Sequence, residues 1–144
     1  MTRYVVDASV AIKWFVPENY SEYAEHLLNN SYNLLAPDLL IAEVCNILWK
    51  KIRLGQLSLA EGQQALAEFQ ATNLQIFELE PLLQDAFNLA NQTGRTAYDC
   101  FYLALAIQHQ CQMVTADEKF FNALQNTAFT AHLCWVEDLS KEVI

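Results

Sequence analysis

The sequence predicts an α/β fold, a short central parallel sheet with helices on both faces. Short apolar runs (RYVV, YNLLA, LQIFEL, CQMVT and LCWV) alternate with longer segments whose apolar residues recur at helical spacing. Such alternation marks strands joined by helical crossovers, and parallel strands require crossovers. With only three Gly and three Pro, and no repeat or low-complexity stretch, residues 1–144 read as one domain without a linker.

The elements follow in order. Arg3 to Val6 is a strand ending at Asp7, and Ala8 to Phe15 is a helix stopped by Pro17. Asn19, with Glu22 three residues on, makes a capping pair for a helix through Leu28. Tyr32 to Ala36 is a second strand, closed by Pro37. Asp38 to Arg53 is a long helix carrying Leu40, Val44, Ile47, Leu48 and Lys51 at helical spacing, and Gly55 ends it. Ser58 with Glu61 caps a helix through Phe69. Leu74 to Leu79 is a strand, and Pro81 opens a helix that ends near Gly94. Thr96 to Gln110 is apolar nearly all round, which predicts a central, buried helix. Cys111 to Thr115 is a strand, Asp117 to Gln125 a helix, and Leu133 to Val136 the last strand.

Hydrophobic content of 53% with 12% aromatics excludes disorder. The longest uncharged apolar stretch, Cys100 to Ile107, falls far short of the roughly 20 residues that span a bilayer. Asp7 interrupts any apolar core of a signal peptide, so no membrane association and a cytoplasmic location are expected. Cys45, Cys100, Cys111 and Cys134 show no CxxC spacing and read as buried free thiols. His26, His109 and His132 are scattered singly, as surface or helix-end residues are. The net charge of −9 argues against a general nucleic-acid coat, which carries a basic face. It leaves room for an enzyme that grips a polyanion through a metal or local bases.

Four acids stand in apolar or small-residue surroundings: Asp7 in RYVVDAS, Glu43 in LLIAEVCN, Asp99 in TAYDCFYLALA and Asp117 in MVTADEKF. Each of Asp7, Asp99 and Asp117 also has an ordinary reading as a helix cap or first-turn acid. Glu43 sits mid-helix, where the ordinary reading is a solvated edge position. Taken together they point elsewhere. Ligands of open parallel sheets bind beyond the carboxyl ends of the strands, and Asp7 and Asp117 both follow strands there. Carboxylates gathered without cations raise one another's pKa, and a hard divalent ion such as Mg²⁺ or Mn²⁺ removes that penalty. Ser9 and Thr115, two residues from Asp7 and Asp117, are placed to hydrogen-bond the carboxylates, or are plain helix-start and strand-end hydroxyls.

The segments VVDASVAIKWFVPE, APDLLIAEVCNILWK, TAYDCFYLALA and VTADEKFFNAL resemble, in that order, the motifs of the PIN-domain ribonucleases, and most of all the VapC-like toxins of toxin–antitoxin pairs. The likeness runs from about Arg3 to Val136. It implies a PIN-like domain and Mg²⁺- or Mn²⁺-dependent hydrolysis of RNA phosphodiester bonds. Asp7, Glu43, Asp99 and Asp117 would hold one or two ions, with Ser9 and Thr115 as polar companions. It further implies an RNA substrate, tRNA being common among the toxins, a cognate antitoxin that covers the site, and a homodimer. Lys13, Lys50, Lys51, Arg53, Arg95 and Lys119 are candidates for phosphate contacts, although Lys50, Lys51 and Arg53 also suit a solvated helix end. Trp14, Phe15 and Trp49 are interface candidates, with core burial the ordinary alternative.

Two other classes compete. A catalytically silent PIN-fold module would keep the fold and bind metal or a partner. An aspartate-based phosphotransferase or receiver domain is also small, acidic and Mg²⁺-dependent. The phosphotransferase requires a second Asp where Ser9 stands, and the receiver requires an acidic neighbour that Asp7 lacks.

Overall fold

The computed structural model describes residues 2–29 and 31–141. Five strands, β1 (Thr2–Val6), β2 (Tyr32–Pro37), β3 (Gln75–Phe77), β4 (Gln112–Thr115) and β5 (Leu133–Trp135), form one sheet in the order β3-β2-β1-β4-β5. Every pairing is parallel. Among the described residues, seven α-helices flank it: α1 (Ala8–Ala11), α2 (Ser21–Ala24), α3 (Leu39–Arg53), α4 (Leu59–Ala71), α5 (Leu83–Thr93), α6 (Ala97–Gln108) and α7 (Glu118–Ala123). The α/β reading of the sequence holds.

The strand order fixes where a ligand can sit. From β1 the chain steps outward to β2 and β3, then crosses back to β4 on the other side of β1 and steps outward to β5. The direction therefore reverses between β1 and β4. Crossover chains diverge at such a switch point and leave a crevice at the carboxyl ends of the two strands. Asp7 directly follows β1, and Asp117 lies two residues beyond β4.

The core explains the rest. Val5, Val6, Met113 and Val114 on the two central strands are wholly buried, and α6 packs across β1, β2 and β4. Its Cys100 and Tyr102 to Ala106 are all buried, as a helix apolar on nearly every side must be. Gly94 ends α5 with φ +72°, a left-handed turn that costs Gly nothing, and α6 starts three residues later. The capping box at Ser58 forms as read, with Glu61 N–H donating to Ser58 Oγ and Ser58 N–H to Glu61 Oε1.

Several local expectations need correction. The first helix is a single α-turn followed by a 3₁₀ segment, Ile12–Trp14. Asn19 does not cap the second helix. The chain enters it through Tyr20 at φ 69°, and Ser21 Oγ accepts from Glu18 N–H. A nearby Ser within reach of an orphan amide displaced the Asn–Glu pair. Cys45 is exposed and Cys111 only partly buried, at the edge of the core. Trp49 is exposed at 57%, whereas Trp14 and Phe15 pack against the core.

Candidate active site

Asp7 is the best-held of the four acids. It is 7% exposed and accepts three hydrogen bonds, two from α1 and one from the end of β4. Ser9 Oγ donates to Oδ1 at 2.6 Å, Val10 N–H to Oδ1 at 3.1 Å, and Thr115 Oγ1 to Oδ2 at 2.5 Å. The register makes the last bond possible, because Val6 pairs with Val114 and the next residues along each strand, Asp7 and Thr115, meet. Asp7 is thus both the cap of α1 and a member of a wider network. Ala116 N–H donates to Ser9 Oγ at 3.0 Å, and Asp117 N–H to Thr115 Oγ1 at 3.1 Å. Asp117 in turn caps α7 through Phe120 N–H, 3.1 Å from its Oδ1.

Glu43 projects from the middle of α3 and is half-buried. Its Oε1 accepts from the Tyr102 hydroxyl of α6 at 2.5 Å. Asp99 lies in the first turn of α6, where its N–H donates to Thr96 Oγ1 at 3.1 Å. Sequence reading missed Tyr102. The signal was present: a phenol three residues after Asp99, on the buried helix, needs a partner for its hydroxyl.

The electrostatics tie the four together. Burial pushes the Asp7 carboxyl up to about 6, against its three hydrogen bonds, and the charge of Asp99 adds to the rise. Burial likewise raises Glu43, and Asp99 raises it further against the Tyr102 bond. Asp99 is itself raised by burial and by Asp117, opposed by Thr96 and Arg95. The Tyr102 phenol is held firmly protonated by burial, by its bond to Glu43, and by the charges of Glu43, Asp7 and Asp99. Asp99 is the hub of a shared negative field, and the donors that hold Asp7 and Glu43 are neutral.

In kind, these donors suit a hard divalent cation: carboxylate oxygens, no thiolate, no imidazole. Asp7 Oδ2 accepts one protein bond and has a second lone pair to offer. In position the set is open. Among the described residues, no group of three or more His, Cys, Asp or Glu is arranged to hold a metal ion. Lys13 and Lys51, two of the candidates for phosphate contacts, are paired with Glu18 at 3.1 and 2.7 Å.

Comparison with known proteins agrees with this geometry. The PIN domain family profile matches residues 4–124. The chain is 38% identical to Ribonuclease VapC3 of Pyrobaculum aerophilum over 121 residues, 81% of this chain and 91% of that one. Among solved structures it resembles PAE2754 of the same organism, with a TM-score of 0.73 and 26% identity over 97% of this chain and 88% of the other. It also shares the fold of a chain of VapBC2 from Rickettsia felis, solved on a DNA fragment of the promoter, at a TM-score of 0.62 and 18% identity, covering 93% and 98% of the two chains. The crevice at the β1/β4 switch point, its carboxylates and the match over residues 4–124 place this chain in the PIN-domain family.

Proposed function

We propose that this chain is a Mg²⁺- or Mn²⁺-dependent endoribonuclease, the toxin of a toxin–antitoxin pair, acting as one domain over residues 1–144. One observation carries the reading: Asp99 raises the pKa of both Asp7 and Glu43, in a site where the donors to those two acids are uncharged. Asp7 and Asp99 would be direct ligands, with Glu43 and Asp117 completing the set or acting through water, for one or two ions. Such an ion, held by these carboxylates, would supply activation of water and offset of charge on the phosphoryl oxygens.

The chain's own groups prepare the site. Ser9 and Thr115 fix both oxygens of Asp7, so its free lone pair faces one direction. Tyr102 fixes Glu43 without cancelling its charge. Thr115 also anchors the Asp117 backbone, which links the acids after β1 and β4.

The 38% identity to a ribonuclease VapC supports an RNA substrate, with tRNA as the candidate, and a cognate antitoxin that covers the carboxylates in the cytoplasm. Exposed apolar side chains on α3 and α4 (Trp49, Leu59) and on α5 (Leu83, Phe87) supply surfaces for that partner and for a homodimer. No described helix is long and apolar enough to cross a membrane.

The open arrangement of the carboxylates favours a second reading, a silent PIN-fold module that binds a partner. Membership of the PIN family sets the phosphotransferase and receiver readings aside. Incubation of total RNA with purified protein, with Mg²⁺ or Mn²⁺ and with EDTA, beside Asp7→Asn, separates the remaining two. Discrete cleavage lost with EDTA and with the substitution supports the nuclease. Absence of cleavage by the native chain, freed of any partner, supports the silent module.

A further inference from the structure

Three aromatic rings meet beside the last strand. Trp135 ends β5, with Tyr20 packed on it edge-on at 5.7 Å and Phe121 of α7 tilted against it at 5.5 Å. Together with Glu118, Asn122 and Glu137 these rings line a cavity of about 260 Å³. Trp135 Nε1–H donates to Glu137 Oε1 at 2.9 Å, which fixes the plane of the indole. Tyr20 is held at φ 69°, a left-handed backbone that is costly for a side chain of this size. Strain of this kind gathers at ligand clamps.

Strand register sets the cavity next to the carboxylates. Trp135 pairs with Thr115, whose hydroxyl holds Asp7, so their backbones lie one strand spacing apart, about 4.8 Å. Glu118 follows Asp117 in the chain, and Asp117 caps the helix that carries Phe121 and Asn122. Cavity and acids therefore share the carboxyl end of the sheet, where a bound strand has to pass.

We infer that this cavity takes one unpaired base of the RNA strand, a guanine, beside the carboxylates. The inference rests on the ribonuclease reading and gives it a base preference. Unstacked bases are gripped by aromatic faces and read at their Watson–Crick edges. A space somewhat below the roughly 300–1,000 Å³ of drug-sized sites suits a single base. Stacking needs no positive charge, which matters in a chain of net charge −9 whose rim here carries Glu118 and Glu137. A carboxylate only accepts hydrogen bonds. Guanine offers it two adjacent donors, N1–H and the 2-amino group, whereas uracil offers one N–H between two carbonyl oxygens. Glu118, exposed in the first turn of α7, is the acceptor for that edge.

The test is fluorescence anisotropy with short uridine oligomers carrying one guanine, one hypoxanthine or neither, in an Asp7→Asn background without divalent ions. The guanine oligomer should bind about tenfold more tightly than plain uridine, with hypoxanthine, which lacks the 2-amino group, between them. Tyr20→Gly suits the left-handed backbone and removes one wall of the cavity. It should weaken binding of the guanine oligomer about tenfold. Glu118→Gln, a surface change that is informative whether or not Tyr20→Gly folds, should remove most of the guanine preference. Equal affinity for the three oligomers, a preference that Glu118→Gln leaves intact, or an affinity that folded Tyr20→Gly leaves intact would overturn the inference. The same holds if both variants lose binding of ethylguanidinium and keep that of RNA, since the cavity would then serve a partner's cation. A parent that binds no RNA also overturns it. Cleavage of total RNA by the native chain is scored separately, so loss of this inference is distinguishable from loss of the nuclease reading.

Discussion

Asp7 and Thr115 lie 108 residues apart and are joined by a 2.5 Å hydrogen bond where β1 and β4 end side by side. The same Thr115 hydroxyl accepts from Asp117 N–H at 3.1 Å, so one wholly buried oxygen serves both acids. Thr115→Val keeps the shape and removes both bonds. It leaves a buried carboxylate oxygen and a backbone N–H without their partner, and should cost about 2–4 kcal/mol. Thr115→Ser should recover most of that. Urea denaturation of the three proteins measures it, and a Val variant as stable as the parent would show that the network is not structural.

The raised Asp7 carboxyl makes a prediction with a definite sign. Its pKa in the folded chain is about 6 against 3.8 ordinarily, so between those values the folded state holds the proton and the unfolded state does not. Stability of the ion-free protein therefore falls as pH rises through this window, by about 3 kcal/mol in total. Asp7→Asn removes that loss. Its melting temperature should exceed that of the parent by several degrees at pH 7.5 without divalent ions, and the gap should close toward pH 4. Mn²⁺ should stabilise the parent and not the variant. A variant less stable than the parent at pH 7.5 would contradict the burial argument.

Tyr102 and Glu43 meet across two helices at 2.5 Å. Tyr102→Phe deletes one hydroxyl and leaves the buried ring in place, so the fold should change by about 1 kcal/mol or less. Glu43 then loses the donor that orients it. Loss of such an orienting bond should weaken Mn²⁺ binding about 10- to 100-fold, read by calorimetry. Equal affinity would remove Tyr102 from the site.

What the sequence disclosed depended on the range of the forces involved. The strands and the long helices were legible because periodicity and caps are local: Ser58 with Glu61, Gly94, and the apolar run of α6 all behave as read. Asp7 was legible as a helix cap, and only its company with the other three acids pointed beyond that role. Its partner Thr115 was named for its spacing to Asp117, whereas the bond to Asp7 depends on strand register. Tyr102 and the Nε of Arg95 were not legible as partners, since only packing reveals a hydroxyl with an acceptor or a nitrogen without one. The entry to α2 was misread because Asn19 and Ser21 compete for similar work within three residues, and propensity does not choose between them.

The Lys13–Glu18–Lys51 pairing gives a last prediction away from the carboxylate cluster. Lys13 is 9% exposed, and Glu18 joins it to α3 through Lys51 at 2.7 Å. Burial alone would raise the Glu18 carboxyl, but the hydrogen bonds and charges of the two lysines outweigh it and hold the pKa below its ordinary 4.5. A depressed carboxyl stabilises the fold above its ordinary pKa, and that contribution is lost as pH falls through the folded value. Glu18→Gln leaves Lys13 shielded without a counter-charge. It should cost about 1–2 kcal/mol at neutral pH, allowing for the solvent around Glu18. The difference from the parent should shrink as pH drops below 4.5, where the parent's carboxyl begins to take up its proton. Urea titrations at pH 7 and at low pH measure this. An equal difference at both would mean that packing of the side chain, and not its charge, holds the segment after α1 to α3.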